Sequence, residues 1–136
     1  MQFAHIDIPC QDTEKSKNWY LSALSPINVT VQSSFPISLN NGAKTATVFG
    51  LGTDPKSILL WLQPAEPGYN GRTSGHVAFK VETRAQVDSF YAAAVAAGGE
   101  DNGSPGLRPL YSANYYAAFV RDLDGRNVEL VTFADQ

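Results

Sequence analysis

Two stretches of the chain decide its fold: residues 4–20, AHIDIPCQDTEKSKNWY, and residues 75–91, GHVAFKVETRAQVDSFY. An offset of 71 positions relates them, and it aligns His5 with His76 and Trp19 with Phe90. Each stretch begins with alternating apolar residues and continues with apolar residues at helical spacing. The sequence therefore predicts two similar modules, each of which opens with a strand and then a helix.

The predicted strands each carry one apolar row. These rows are Ala4, Ile6 and Ile8 in the first strand, and Val77, Phe79 and Val81 in the second. Side chains alternate between the two faces of a strand. We therefore expect His5 and His76 to point away from the packed rows, at equivalent places in the two modules.

The predicted helices each carry one apolar stripe at positions i, i+3, i+4, i+7 and i+8. The stripes are Ser16, Trp19, Tyr20, Ala23 and Leu24 in the first helix, and Val87, Phe90, Tyr91, Ala94 and Val95 in the second. Asp12 is the expected N-cap of the first helix, and Thr83 with Gln86 forms a capping box before the second. Ser25-Pro26 and Gly98-Gly99 are the expected helix ends.

Three strands are expected after each helix. They are predicted at residues 27–32, 43–50 and 57–63 in the first module, and at 115–121 and 126–132 in the second. The Gly- and Pro-rich segment 100–111 predicts mostly loop instead of a clear strand, with residues 103–110 as a flexible loop over a cleft. Residues 64–75 are the expected linker, short enough that the halves should share one sheet system.

The composition limits the possible functions. The chain has 136 residues, 43% hydrophobic and 17% charged, which is typical of a single globular domain spanning 1–136. Its net charge of −3 argues against nucleic acid or an anionic membrane as the main partner. Cys10 is the only cysteine, so no disulfide forms within the chain, and a reducing cytoplasm is the expected location. We expect no signal peptide and no membrane span.

Three side chains form the candidate metal site. The only two histidines, His5 and His76, lie on the unpacked faces of their strands, and Glu129 lies between apolar Val128 and Leu130 on the last strand. Two imidazoles and one carboxylate suit Zn, Ni, Mn or Fe as a divalent ion with open positions. Such an ion would accept two oxygens of a substrate and act as a Lewis acid.

The chain resembles the vicinal oxygen chelate superfamily, which includes glyoxalases, bleomycin-resistance proteins and extradiol dioxygenases. The resemblance covers about residues 3–131 and rests on five segments of the sequence. They are His5-Ile6, Glu14–Lys17 with Trp19-Tyr20, Gly75–Phe79, Tyr115–Val120 and Asp122–Glu129.

This resemblance implies an α+β fold of two βαβββ modules, about 3–63 and 74–132, whose curved mixed sheets enclose a cleft with the helices outside. It implies His5, His76 and Glu129 as metal ligands, and a homodimer. The sequence does not identify the base of the reaction, which is either Glu129 after it dissociates from the metal or a metal-bound water. A fourth family position lies near Leu60 or Trp61, where no ligand is present. The expected function is a metal-dependent lyase or isomerase of glyoxalase type acting on a small molecule.

Two alternatives stay open. One is an Fe(II) ring-cleaving dioxygenase, which also uses two histidines and a glutamate, although such enzymes rely on further histidines that this chain lacks. The other is a metal-free protein that sequesters a ligand, as bleomycin-resistance proteins do.

Other residues are candidates for binding the substrate. Tyr111, Tyr115 and Tyr116 form an aromatic group beside Arg108, and Asn127 is expected at the edge of the cleft. Alternation along a strand predicts that either Tyr115 or Tyr116 belongs to the core.

Two further features have structural interpretations. Asp122-Leu123-Asp124-Gly125 predicts the tight turn between the last two strands, with Gly125 at positive φ. Cys10 aligns with Val81 and is expected to be a small packed residue instead of a nucleophile.

Overall fold

The computed structural model describes residues 4–69 and 75–135. The first module consists of β1 (Ile6–Cys10), α1 (Thr13–Ala23), β2 (Thr30–Leu39), β3 (Lys44–Asp54) and β4 (Ser57–Pro64), with short 3-10 turns at Ser25–Ile27 and Asn40–Gly42. The second consists of β5 (His76–Lys80), α2 (Arg84–Ala96), β6 (Glu100–Leu107), β7 (Tyr116–Arg121) and β8 (Asn127–Thr132). The expected module limits at residues 3 and 74 lie outside the described residues.

Each module forms its own four-stranded mixed sheet. The strand orders are β1-β4-β3-β2 and β5-β8-β7-β6, with the first pair of each parallel and the other pairs antiparallel. This confirms the predicted pair of βαβββ modules. The prediction of one shared sheet system is wrong, because the strands of each module pair only with one another.

The largest differences from the predicted strands are at the edge strands β2 and β6. The first module's β2 begins three residues later than expected and extends to Leu39, where it pairs with β3 as an edge strand. Residues 100–107, predicted as loop, form β6. Gly and Pro are tolerated there because β6 is an edge strand whose register shifts at Gly103, which has a φ of 148°.

Both helices begin where the sequence predicted. The Asp12 side chain accepts a hydrogen bond from the Lys15 N–H, and Thr83 with Gln86 forms the capping box. The stripe of α1 is fully buried, whereas that of α2 is narrower than expected. Val95 is 38% exposed, because it lies at the outer margin of the stripe.

The two helices meet inside one continuous core to which both modules contribute. Trp19 of α1 is buried, and its Nε1–H donates to the carbonyl of Ala94 on α2 at 3.0 Å. Cys10 is also buried in this core, as predicted. No helix in the described parts of the chain is long and apolar enough to cross a membrane.

The turn between β7 and β8 fastens the second module to the first. Gly125 has a φ of 80°, as the predicted turn requires. Buried Asp122 accepts hydrogen bonds from Arg126 and from the hydroxyl of Tyr20 on α1, both at 2.6 Å. Asp124 accepts from the backbone N–H of Gln11 at 3.1 Å. The residues that make the turn therefore also hold the corner between β1 and α1.

Candidate active site

A cavity of about 420 Å³ lies on the face of the second sheet that is turned away from α2. It is lined by His76, Tyr111, Tyr115, Phe119, Asn127 and Glu129. The central strand β8 lies between β5 and β7, which places Asn127 opposite His76 and Glu129 opposite Phe119. Alternation then puts these four side chains on one face.

Glu129 is the most deeply buried polar group of this cavity. Its side chain is 2% exposed, and both carboxylate oxygens have partners. Oε2 lies 2.8 Å from Nε2 of His76, and Oε1 accepts a hydrogen bond from the hydroxyl of Tyr115 at 2.6 Å. A buried carboxylate needs such partners to offset the loss of water.

His76 connects this carboxylate to two amides. Nδ1 of His76 lies 2.6 Å from Nδ2 of Asn127, and Oδ1 of Asn127 accepts from the Asn102 amide at 3.0 Å. In this orientation Asn127 donates to Nδ1, so the neutral imidazole carries its proton on Nε2 and donates it to Glu129. The two contacts therefore orient the ring and select its tautomer.

Tyr115 completes the group from the other side. Its ring packs edge-on against Tyr111 and Phe133, with ring centroids 5.1 and 5.3 Å away. Burial, together with the hydrogen bond to Glu129 and its charge, raises the pKa of Tyr115 to about 12. The phenol therefore stays protonated near neutral pH and remains a hydrogen-bond donor.

His5 lies apart from this group within one chain. It is exposed and immediately precedes β1. Across residues 4–69 and 75–135 no three His, Cys, Asp or Glu side chains come close enough to hold a metal ion. The structure thus brings together two of the three expected ligands, His76 and Glu129.

The first module carries a different group at the corresponding place. In the second module Glu129 pairs with Ala78, which lies two residues after His76. In the first module Trp61 pairs with Asp7, which lies two residues after His5. Trp61 is therefore the counterpart of Glu129 in the register of the two sheets.

The expected substrate-binding residues divide into two groups. Tyr111, Tyr115 and Asn127 line the cavity. Tyr116 lies outside its lining, with its hydroxyl donating to Asp88 of α2 at 2.7 Å.

Arg108 also lies outside the lining of the cavity. It donates to the carbonyl of Ser104 at 2.6 Å, and its guanidinium stands 5.5 Å from the ring of Phe119. Arg108 thus contacts a residue of the cavity wall.

Sequence reasoning missed two features of this region. Phe119 lines the cavity, and its position opposite Glu129 follows from the pairing of β7 with β8, which alternation within one strand does not provide. The hydrogen bond from Tyr115 to Glu129 has no sequence signal either, because it joins residues 14 positions apart whose contact depends on the fold.

Comparison with known proteins agrees with this architecture. The sequence matches the Glyoxalase/Bleomycin resistance protein/Dioxygenase superfamily over residues 2–130, and the chain belongs to that family. No curated protein matches the sequence.

Several solved structures share the fold. A glyoxalase/bleomycin resistance protein from Albidiferax ferrireducens T118 is 24% identical, covers 96% of this chain and 97% of its own, and has a TM-score of 0.65. A glyoxalase I mutant from Zea mays is 23% identical over 96% of this chain and 45% of its own, with a TM-score of 0.69. TioX from Micromonospora sp. ML1 is 16% identical over 99% of this chain and 98% of its own, with a TM-score of 0.60. At these identities the likeness establishes the fold.

Proposed function

We propose that this protein is a metal-dependent enzyme of glyoxalase type, a lyase or isomerase. Its substrate would be a small molecule that chelates a divalent ion through two oxygens. The observation that carries this proposal is the pairing of His76 with buried Glu129 in the 420 Å³ cavity. An imidazole nitrogen and a carboxylate oxygen on adjacent strands are ligands suited to Zn, Ni, Mn or Fe.

The cavity provides two of the three ligands that such an ion needs. His76 and Glu129 would hold it, and His5 would supply the third ligand. Because His5 lies apart from the other two within a chain, we propose a homodimer in which His5 of the partner subunit completes the site. The equivalence of His5 and His76 in the repeat supports this arrangement, as does the fact that the two sheets are not joined.

A bound ion would polarise the substrate oxygens as a Lewis acid. The chain's own residues would supply the remaining functions. Glu129 would act as the base only when its Oε2 is released from the ion, because Oε1 accepts the hydrogen bond from Tyr115. Phe119 would cover one side of the reacting atoms, while Asn127 would hold the His76 ring in place.

The test is calorimetric titration of Zn(II), Ni(II), Mn(II) and Fe(II) into the wild type, His5→Ala, His76→Ala and Glu129→Gln. Each ligand variant should lose most of its metal affinity, whereas Glu82→Gln on an exposed position should not. Circular dichroism would first establish that every variant is folded. Wild type that binds no metal at millimolar concentration would contradict the proposal.

A mixing experiment tests the shared site. If the ligands come from two subunits, a heterodimer of His5→Ala and His76→Ala chains contains one intact site, although neither homodimer does. Metal binding should therefore reappear at one ion per heterodimer. Failure of the mixed protein to bind metal, with a wild type that binds it, would place all three ligands within one chain.

A ligand-sequestering function is the second candidate, and one observation favours it. Aromatic side chains contact one another in both modules: Tyr111 and Phe133 pack against Tyr115, and Phe35 packs against Trp61. Such rings suit a flat ligand. Binding of aromatic compounds with equal affinity in metal-loaded and metal-stripped protein would favour this function over catalysis.

The dioxygenase alternative has a separate test. A ring-cleaving enzyme consumes O₂ with Fe(II), so oxygen uptake would be measured with a panel of catechols. We expect no uptake, because the chain has only two histidines and both are assigned to the metal.

A further inference from the structure

Tyr115 makes the contact that best explains how Glu129 is held. Its hydroxyl lies 2.6 Å from Oε1 of Glu129, whose side chain is 2% exposed. We propose that Tyr115 is a positioning residue, which occupies Oε1 of Glu129 and leaves Oε2 as the only oxygen available to a metal or substrate. The role toward a metal rests on the proposed function above, whereas the placement of the carboxylate does not.

The hydroxyl of Tyr115 is fixed by its own surroundings. The backbone N–H of Tyr115 donates to the Ser112 carbonyl at 3.2 Å, and its carbonyl accepts from the Arg108 N–H at 2.7 Å. The rings of Tyr111 and Phe133 pack against its ring edge-on. The backbone bonds and the ring contacts together fix the direction from which the Tyr115 hydroxyl approaches Glu129. This fixed direction limits the rotation of the Glu129 carboxylate.

The hydrogen-bond capacity of the phenol distinguishes this role from a direct substrate contact. A tyrosine hydroxyl has one proton to donate, and Tyr115 donates it to Glu129. The opposite oxygen of Glu129 faces His76. The carboxylate is therefore bound on both sides, and a metal that replaces the proton of His76 at Nε2 would meet one carboxylate oxygen instead of two.

Removing the hydroxyl should release Oε1. In Tyr115→Phe this buried oxygen loses its donor, so the carboxylate should rotate to find another partner and should no longer present Oε2 in the place that suits the metal. Residues that support metal ligands in this way typically change metal affinity by about 10–100-fold when they are altered. We expect a loss of Zn(II) affinity in that range.

Tyr116→Phe provides a matched control. Tyr116 is the next residue, and its hydroxyl also donates to a carboxylate, that of Asp88, at 2.7 Å, but outside the cavity. The same atom and the same kind of bond are thus removed from both variants. The Zn(II) affinity of substrate-free protein should fall in Tyr115→Phe and stay at the wild-type value in Tyr116→Phe.

Two readouts separate positioning from a general loss of structure. Thermal unfolding would confirm that both variants are folded, and the visible spectrum of the Co(II)-loaded protein would report the coordination number. The spectrum should change in Tyr115→Phe alone. An unchanged affinity and spectrum in Tyr115→Phe, with binding lost in Glu129→Gln, would overturn the proposal and leave the proposed metal site intact.

The metal-free protein gives an independent answer. If wild type binds no metal, the proposed function fails, and a crystal structure of metal-free Tyr115→Phe decides the positioning role. A Glu129 carboxylate rotated away from its wild-type place would support the role. A carboxylate in the same place, still 2.8 Å from His76, would overturn it.

Discussion

Glu129 in the second module and Trp61 in the first occupy corresponding positions of their sheets, but their surroundings differ. Glu129 is paired in register with Phe119 on the neighbouring strand, whereas Trp61 is paired with Gly50. Glu129 is held by His76 and Tyr115. The Trp61 ring lies over Gly50 and contacts the Phe35 ring at a centroid distance of 5.8 Å.

The opposite faces of the same sheets remain alike. In the first module Ile8 lies beside Leu62, and in the second Phe79 lies beside Leu130; all but the partly buried Phe79 are fully buried. These rows must pack against a helix, so both modules keep them apolar. The cleft faces have no such requirement. One could acquire a buried carboxylate, while the other acquired an aromatic ring.

The largest effects should come from the shared core, where the two modules are most alike. Trp19 and Phe90 are equivalent and nearly inaccessible to solvent. Replacing either with Ala should lower the free energy of unfolding by about 3–5 kcal/mol. Trp19→Ala should cost more, since it also removes the buried hydrogen bond from the indole N–H to the Ala94 carbonyl.

Urea denaturation followed by circular dichroism measures both losses. Trp19→Phe serves as the control, because it keeps an aromatic ring while it removes the indole N–H and part of the ring volume. An unchanged midpoint in Trp19→Ala would mean that the two helix stripes are not equivalent.

Substitution in the turn before β8 should give the next largest loss of stability. The corresponding turn of the first module should be much less sensitive. Asp122→Ala leaves the buried guanidinium of Arg126 without its carboxylate, which should cost about 3–5 kcal/mol. Asp54 lies in the corresponding turn of the first module but is exposed and contacts only the Lys56 N–H in that turn. Asp54→Ala should cost less than about 1 kcal/mol. Denaturant unfolding measures both losses of stability. Equal losses in Asp122→Ala and Asp54→Ala would contradict this difference between the two turns.

The Gly50–Trp61 pair tests the aromatic face of the first module. A Cβ on Gly50 would stand 2.7 Å from the Trp61 ring, so Gly50→Ala should cost about 1–3 kcal/mol through overpacking. In a Trp61→Ala background the clash is absent. The same change should then be neutral or stabilise by up to about 1 kcal/mol, because Ala restricts the unfolded chain. A double-mutant cycle by urea denaturation should show this coupling, and additive effects would contradict it.

The helix caps should give the smallest effects. Asp12→Ala and Thr83→Ala each remove one N-cap and should cost about 1 kcal/mol. Thr83→Ala should be the more costly, since Thr83 and Gln86 cap each other's backbone groups reciprocally. Thermal unfolding of the two variants would measure the difference, and a larger loss in Asp12→Ala would reverse the expected order.

The sequence predicted the parts of this molecule that depend on periodicity. The repeat, the apolar rows and stripes, both N-caps and the turn at Gly125 all follow from local spacing. The prediction of a loop at β6 was wrong. Gly103 and Pro105 favour loop, but an edge strand tolerates both residues when its partner β7 supplies the pairing.

For the candidate site, the amino-acid sequence by itself determined which face His76 and Glu129 occupy, because alternation within a strand fixes the direction of a side chain. Only the tertiary structure decided that His76, Glu129 and Tyr115 form one hydrogen-bonded group and that Trp61 is the counterpart of Glu129. These relations depend on the register between strands that are distant in the chain. Register depends on which faces are buried and on the geometry of the turns, so alternation within one strand does not fix it.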